Sequence, residues 1–218
     1  MMRRAFKTHL DVAACHEAGH ALAALWQGLR VFKIEVYLGN PGAGLTFYHL
    51  PPRRNPFDPT LGPGSARAAW QDTVSRTLRE ARVALAGPLA EARLLGKPMR
   101  ALGAYGDLEH CRRLVERLAV CREWLCEFVE LPPMDPQAVI NRERARVRRW
   151  VARPRTRAQL QQLARVLSID TTVFGWDLDV ILGYESANRG RPALPFPSFD
   201  EAPEKIALMK GRQSRMAA

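Results

Sequence analysis

No apolar run in the 218-residue chain approaches the length needed to span a bilayer. The opening Met1-Met-Arg-Arg-Ala-Phe-Lys7 is not followed by the apolar core of a secretory signal. These absences point to a soluble, intracellular protein, cytoplasmic in location and without a membrane partner. Cysteine is scarce as well. Cys15, Cys111, Cys121 and Cys126 form no Cys-x-x-Cys pair, which argues against a zinc knuckle or a disulfide framework and predicts buried, reduced thiols. A Gly-x-x-x-x-Gly-Lys-Ser/Thr phosphate loop is missing, so no P-loop ATPase motor is expected, and no internal repeat is present. Acidic residues are the minority: 22 Asp and Glu face 33 Lys and Arg, giving a net charge of +11 and a pI near 10.2. The positive charge is mostly arginine, concentrated in Arg142-Glu-Arg-Ala-Arg-Val-Arg-Arg-Trp150 and continuing through Arg153, Arg155 and Arg157. Such a surface attracts nucleic acid and other polyanions without reading sequence. No recognisable nucleic-acid module accompanies it, and a solvated helix face is the favoured reading.

Histidine is also scarce, five in all, yet two of the five stand in His16-Glu17-Ala18-Gly19-His20. On a helix, positions i and i+4 lie one turn apart on the same face, so His16 and His20 can present two imidazole nitrogens to one metal ion. Glu17 falls beside them, where a carboxylate suits the general base of a metal-assisted hydrolysis. The surroundings favour a helix. Thr8 with Asp11 makes a capping-box-like start, Gly28 supplies a stop after Gln27, and only Gly19 interrupts good helix formers. Val12, Cys15, Leu22, Leu25 and Trp26 offer an apolar stripe, with Cys15 pointing away from the metal. Ala18, Gly19, Ala21 and Ala23 keep the helix slim.

At 47% hydrophobic, a chain of this length can bury one core of good size. After the motif helix, Phe32, Ile34, Val36 and Leu38 alternate with Lys33, Glu35 and Tyr37, which predicts a half-buried strand over 31–38. Turn chemistry at Asn40-Pro-Gly-Ala-Gly44 leads to a second strand over 45–50 and so to a small antiparallel sheet. A loop with prolines at 51, 52, 56, 59 and 63 precedes a long helical pattern from about Ala66 to Leu95, which Gly87-Pro88 should kink or break where another backbone comes close. A loop from Gly96 to Gly106 then leads into a helix from Asp107 towards Val129, ended by Leu131-Pro-Pro133. Further helices are expected at 136–152 and 157–167, with a short segment around Trp176 to Leu182. From about Ser186 the composition predicts a poorly ordered Pro- and Arg-rich tail, so 1–185 forms the domain and 186–218 the tail. The fold class expected is mainly α with a small antiparallel β-sheet.

Catalytic zinc needs a third protein ligand. Asp107, Glu91, Glu80, Glu109, His110 and His49 are all candidates, and spacing alone does not choose among them. Four motifs in order are informative here: His16-Glu-Ala-Gly-His-Ala21, the strand pair with Gly44-Leu-Thr-Phe47, Leu85-Ala-Gly-Pro-Leu-Ala-Glu91 and Gly103-Ala-Tyr-Gly-Asp-Leu-Glu109. Together they resemble the protease domain of FtsH-type zinc metalloproteases. That family carries Gly-Gly-Arg-x-Ala-Glu-Glu at the third place and Gly-Ala-Ser-Asn-Asp-Leu-Glu at the last. The resemblance implies an FtsH-like helical metallopeptidase fold with Zn2+ as cofactor. It implies His16, His20 and Asp107 as metal ligands, Glu17 as the catalytic base, and Glu91 as acceptor of a ligand imidazole's second proton. An N-cap for Asp107 and a solvent-facing carboxylate for Glu91 are the plainer alternatives. The departures are Gly87-Pro88 where the family has Gly-Arg, and Tyr105-Gly106 where it has Ser-Asn. The absent phosphate loop implies a stand-alone protease domain.

The function expected is a zinc metalloendopeptidase that cuts unfolded or loosely folded polypeptides without ATP, the substrate added as a strand along residues 31–38 or 45–50. A separate ATPase or adaptor, or a second copy of the chain, are partners open to it. The competing readings are a regulator or adaptor on the same fold and a basic nucleic-acid-associated protein.

Overall fold

A computed structural model of the chain describes residues 11–37, 43–96 and 105–183. The elements run α1 (Val12–Trp26), β1 (Arg30–Val36), β2 (Gly44–His49), a 3-10 turn (Pro59–Leu61), α2 (Pro63–Leu95), α3 (Tyr105–Leu125), α4 (Pro136–Val151), α5 (Pro154–Leu167), β3 (Thr172–Phe174) and α6 (Leu178–Ile181). The architecture is mainly helical with a small antiparallel sheet of order β2-β1-β3. No helix among the described residues is long and apolar enough to cross a membrane. The expected tail, Thr8 and most of the turn at 40–44 lie outside the described residues.

Helix α1 is the axis of the molecule. Asp11 caps it, its Oδ1 accepting from the Ala13 and Ala14 N–H groups at 2.8 and 3.2 Å, and Gly28 turns the chain away at φ 71°. Instead of one apolar face, every residue from Ala13 to Ala24 is buried, His16, Glu17 and His20 included. A helix enclosed on all sides needs small side chains, which explains the alanines. Gly19 is required outright, because a Cβ there would lie 2.6 Å from the Ala86 carbonyl oxygen and 2.9 Å from Gly87 Cα. This is the close backbone approach expected at Gly87-Pro88. The expected break is not found: α2 continues through Pro88 to Leu95, and it starts at Pro63, ahead of Ala66. The loss of one backbone N–H is tolerated in a helix held by packing against α1, α3 and α4.

The sheet covers α1 from the other side through Ile34, Val36, Thr46 and Tyr48, all buried. Strict alternation along β1 fails at its start. A register shift between Val31 and Lys33 leaves Val31 buried and Phe32 half-buried, because a bulge turns the following side chains by one place. Central position in the sheet also corrects the expectation that residues 31–38 could take an added strand: β1 pairs with β2 on one side and with β3 on the other.

Helix α3 begins at Tyr105 and closes at Leu125, four residues before Val129. Helices α4 and α5 agree with the sequence pattern apart from α5 starting at Pro154. One buried ion pair ties three helices together: Arg82 on α2 donates to Glu143 Oε2 on α4 at 2.7 Å and to Gln27 Oε1 at the end of α1 at 2.9 Å. Trp26 stacks on Trp150 beside it, centroids 4.7 Å apart. The four cysteines are free, but only Cys15 and Cys111 are buried; Cys121 on α3 is half-buried, and Cys126, just past the end of that helix, is exposed.

Candidate metal centre

The two histidines leave α1 on the face that meets α2 and α3. His16 Nδ1 lies 2.9 Å from Glu91 Oε2, and His20 Nδ1 lies 2.8 Å from the Val83 carbonyl oxygen, both partners on α2. A carbonyl and an ionised carboxylate can only accept, so each Nδ1 carries the proton and donates it. Each Nε2 of the neutral ring is then a bare lone pair. Both of these nitrogens face Asp107 at the start of α3, with His16 Nε2 at 2.8 Å from Oδ2 and His20 Nε2 at 3.6 Å from Oδ1.

Three acceptors thus converge in a buried place. His16 and His20 are 5% and 2% exposed, and the three ligand atoms lie within 4.8 Å of one another. Lone pairs set against a carboxylate at this range repel unless positive charge sits among them, either a proton or a metal ion. The donor set, two imidazoles and one carboxylate, suits zinc, whose ligands in a tetrahedral shell stand about 3.3 Å apart. The residues present therefore fit the metal that the motif implies. Without the ion, protons supply the positive charge: burial works against the His16 imidazolium, but Asp107 and Glu91 outweigh it and push its pKa up to about 10. Burial likewise opposes the His20 cation, and Asp107 overrides it in the upward direction. Burial would raise the Asp107 carboxyl, yet His20 and His16 hold it well below the usual carboxylate range.

Glu17 occupies the next position on the same side of α1, 4% exposed. Burial raises its carboxyl pKa, partly offset by His20 and His16. Thr46 on β2 fixes the side chain, its hydroxyl donating to Glu17 Oε2 at 2.7 Å. Gly44 makes room for it, since a Cβ there would lie 2.4 Å from Glu17 Cγ. Strand β2 therefore delivers one orienting donor and one gap to the carboxylate.

The remaining candidates stand elsewhere. Among the described residues, His16, His20 and Asp107 form the cluster with metal-ligand spacing. Glu80 faces His110 at 3.3 Å, Glu109 is held by Arg112 and Arg113, and His49 packs edge-on against Phe32. Glu91 is 1% exposed and behind His16, on the side away from Asp107.

Thr46, the Val83 carbonyl and Gly87 were not picked out as site residues from sequence. A carbonyl carries no sequence signal, and a threonine on a half-buried strand looks like any other. Gly87 had one, the glycine in an alanine-rich helix. A Cβ on it would lie 2.4 Å from His20 Nε2 and 2.8 Å from His16 Nε2, so the bare backbone keeps the space in front of both nitrogens open. Gly87→Ala is expected to lower zinc affinity by about 10- to 100-fold, in the range seen when groups around metal ligands are altered, while helix content holds. Zinc titration against a competing chelator, with circular dichroism alongside, checks this; undiminished affinity would remove Gly87 from the site.

The sequence matches no family model, and no curated protein is similar to it.

Proposed function

We propose that this chain is a zinc-dependent endopeptidase of unfolded or loosely folded polypeptides, similar to the protease domain of FtsH-type metalloproteases, acting without ATP. The observation that carries the reading is the convergence of His16 Nε2, His20 Nε2 and an Asp107 oxygen, with a buried carboxylate, Glu17, held alongside by Thr46. His16, His20 and Asp107 hold the ion. When bound, zinc supplies Lewis acidity, lowering the pKa of water to about 7 and polarising a carbonyl.

The protein's own groups do the rest. Glu17 takes the proton from the attacking water and returns it to the amine that leaves when the C–N bond breaks, so one carboxylate serves as base and then as acid. Its burial favours this double duty, because an ordinary exposed carboxylate holds a proton too weakly to deliver it. Glu91 and the Val83 carbonyl keep the two imidazoles oriented with their Nε2 lone pairs forward. The substrate backbone lies along β2, which has a single strand neighbour among the described residues and carries Thr46 and Gly44 beside Glu17. Pairing of that kind reads main chain more than side chains and makes specificity broad.

The test is metal content with cleavage. About one zinc per chain is expected, with cleavage of unfolded casein that stops on chelation, returns with zinc and does not respond to ATP. A stably folded substrate should resist until destabilised, with cleavage following its open population. Purified protein holding zinc that cuts neither casein nor short peptides would overturn the endopeptidase reading and leave that of a regulator or adaptor.

A further inference from the structure

Every charged residue from position 144 to position 169 is an arginine; aspartate, glutamate and lysine are absent from the stretch. The fold gathers this stretch at one corner, made by the second half of α4, the turn after it and α5. Arg146, Arg148 and Arg149 on α4, Arg153 in the turn, and Arg155 and Arg157 at the start of α5 are all exposed. The opposite side of each helix is taken up by packing through Val147, Trp150, Leu160 and Leu163. None of the six forms an ion pair among the described residues. Helix α3 is a useful contrast, because there Arg112 and Arg113 are neutralised by Glu109 and Glu116 on their own helix.

Two further observations indicate what the corner accepts. Arg153 stands at the N-cap of α5, which has no side-chain cap hydrogen bond and no acid in its first turn. Cations there oppose the helix dipole and one another, and both repulsions are relieved by an anion. The residue choice narrows the anion: arginine presents a planar fork that fits phosphate oxygens in pairs. The charge is spread over two helices, more than one phosphate group can engage. No large apolar side chain is exposed on α4 or α5, so the corner lacks what an interfacial helix sinks into a bilayer. Nor does it offer an exposed aromatic ring for unpaired bases, since Trp150 is buried against Trp26.

We propose that the α4–α5 corner binds the phosphate backbone of a nucleic-acid duplex without reading its sequence. The proposal is independent of the peptidase reading. It is tested with the full chain by fluorescence anisotropy on labelled DNA and RNA duplexes of unrelated sequence, at rising KCl. Binding to the duplexes regardless of sequence is expected, with log affinity falling linearly against log salt by about 0.9 for each phosphate neutralised. Arg146, Arg149, Arg153 and Arg155 changed together to Gln should weaken binding at least about tenfold and make the slope shallower by up to about 3.6. A charge-matched control with Arg53, Arg67, Arg93 and Arg117 changed to Gln should keep most of the affinity. If the first variant loses its circular dichroism signal, Arg149→Gln with Arg153→Gln carries the test, with a slope change of about two. The proposal is overturned by equal losses in variant and control, by no duplex binding at low salt, or by binding to phosphatidylserine-rich vesicles or acidic polypeptides in place of duplexes.

Discussion

Glu17→Gln is expected to take up zinc like the wild type, to fold like it, and to lose peptide hydrolysis by about 10²- to 10⁴-fold, the range that a positioned proton-transfer group contributes. The amide has the same shape, so the gap left by Gly44 still admits it, and its oxygen still accepts from the Thr46 hydroxyl. What it loses is the ability to take a proton from water. Stability should not suffer, because burial already disfavours the charged carboxylate at this position and raises its pKa. Zinc content, thermal unfolding and the cleavage rate of a quenched peptide separate these effects. Retained turnover in a zinc-loaded, folded variant would sink the role of Glu17 as base. A fall in zinc content would instead identify it as a ligand.

Asp107→Ala should abolish stoichiometric zinc binding, weakening affinity by more than about 100-fold, beyond what groups behind a ligand contribute. The carboxylate is one of three ligands, and it also sets the protonation of the other two. With Asp107 present, the metal-free imidazoles hold their protons more tightly than free ones do: the His16 pKa is pushed up to about 10, and that of His20 is raised as well. Zinc takes only neutral imidazole, so loading expels those protons. The sign follows: wild-type zinc affinity rises with pH through the neutral range towards 10 and falls as pH drops, with proton release visible as a dependence of titration heat on the buffer's ionisation enthalpy. In Asp107→Ala the remaining weak binding should depend less on pH, because the largest raising influence on both imidazoles has gone and only Glu91 and Glu17 remain to hold their protons. His20→Ala should likewise lose zinc. Full zinc content and activity in Asp107→Ala would overturn the ligand assignment and turn attention to Glu91.

Much of the site was legible in sequence because its parts lie within one helical turn. Spacing of four residues places His16 and His20 on one face wherever α1 forms, and Asp11 with Gly28 states where it forms. The strand at 45–50 and the long helical periods of α3 and α4 were equally readable, since each of these elements buries one side; the second half of α2 does not, because Val83 to Glu91 is buried all round. Legibility fails where burial is not one-sided or an element is short. Nothing in the alanine-rich run of α1 indicates that all its faces are covered; that depends on the sheet, α2 and α5 arriving around it. The three residues of β3 are too few to show alternation and become a strand only by pairing with Lys33–Glu35 of β1.

The third ligand shows the same division. A carboxylate 87 positions after His20 has no local relation to it, so residue type and spacing left six candidates, and only the packing of α3 against α2 brings Asp107 to the two imidazoles. Tertiary structure likewise decided that Val83 offers its carbonyl to His20, that Gly87 clears the space before both Nε2 atoms, and that Thr46 reaches Glu17 from a different element. Chemical identity and one-turn spacing are properties of the chain. Distance between residues far apart in the chain, and the emptiness kept by a missing Cβ, come into being only when helices and strands close on one another.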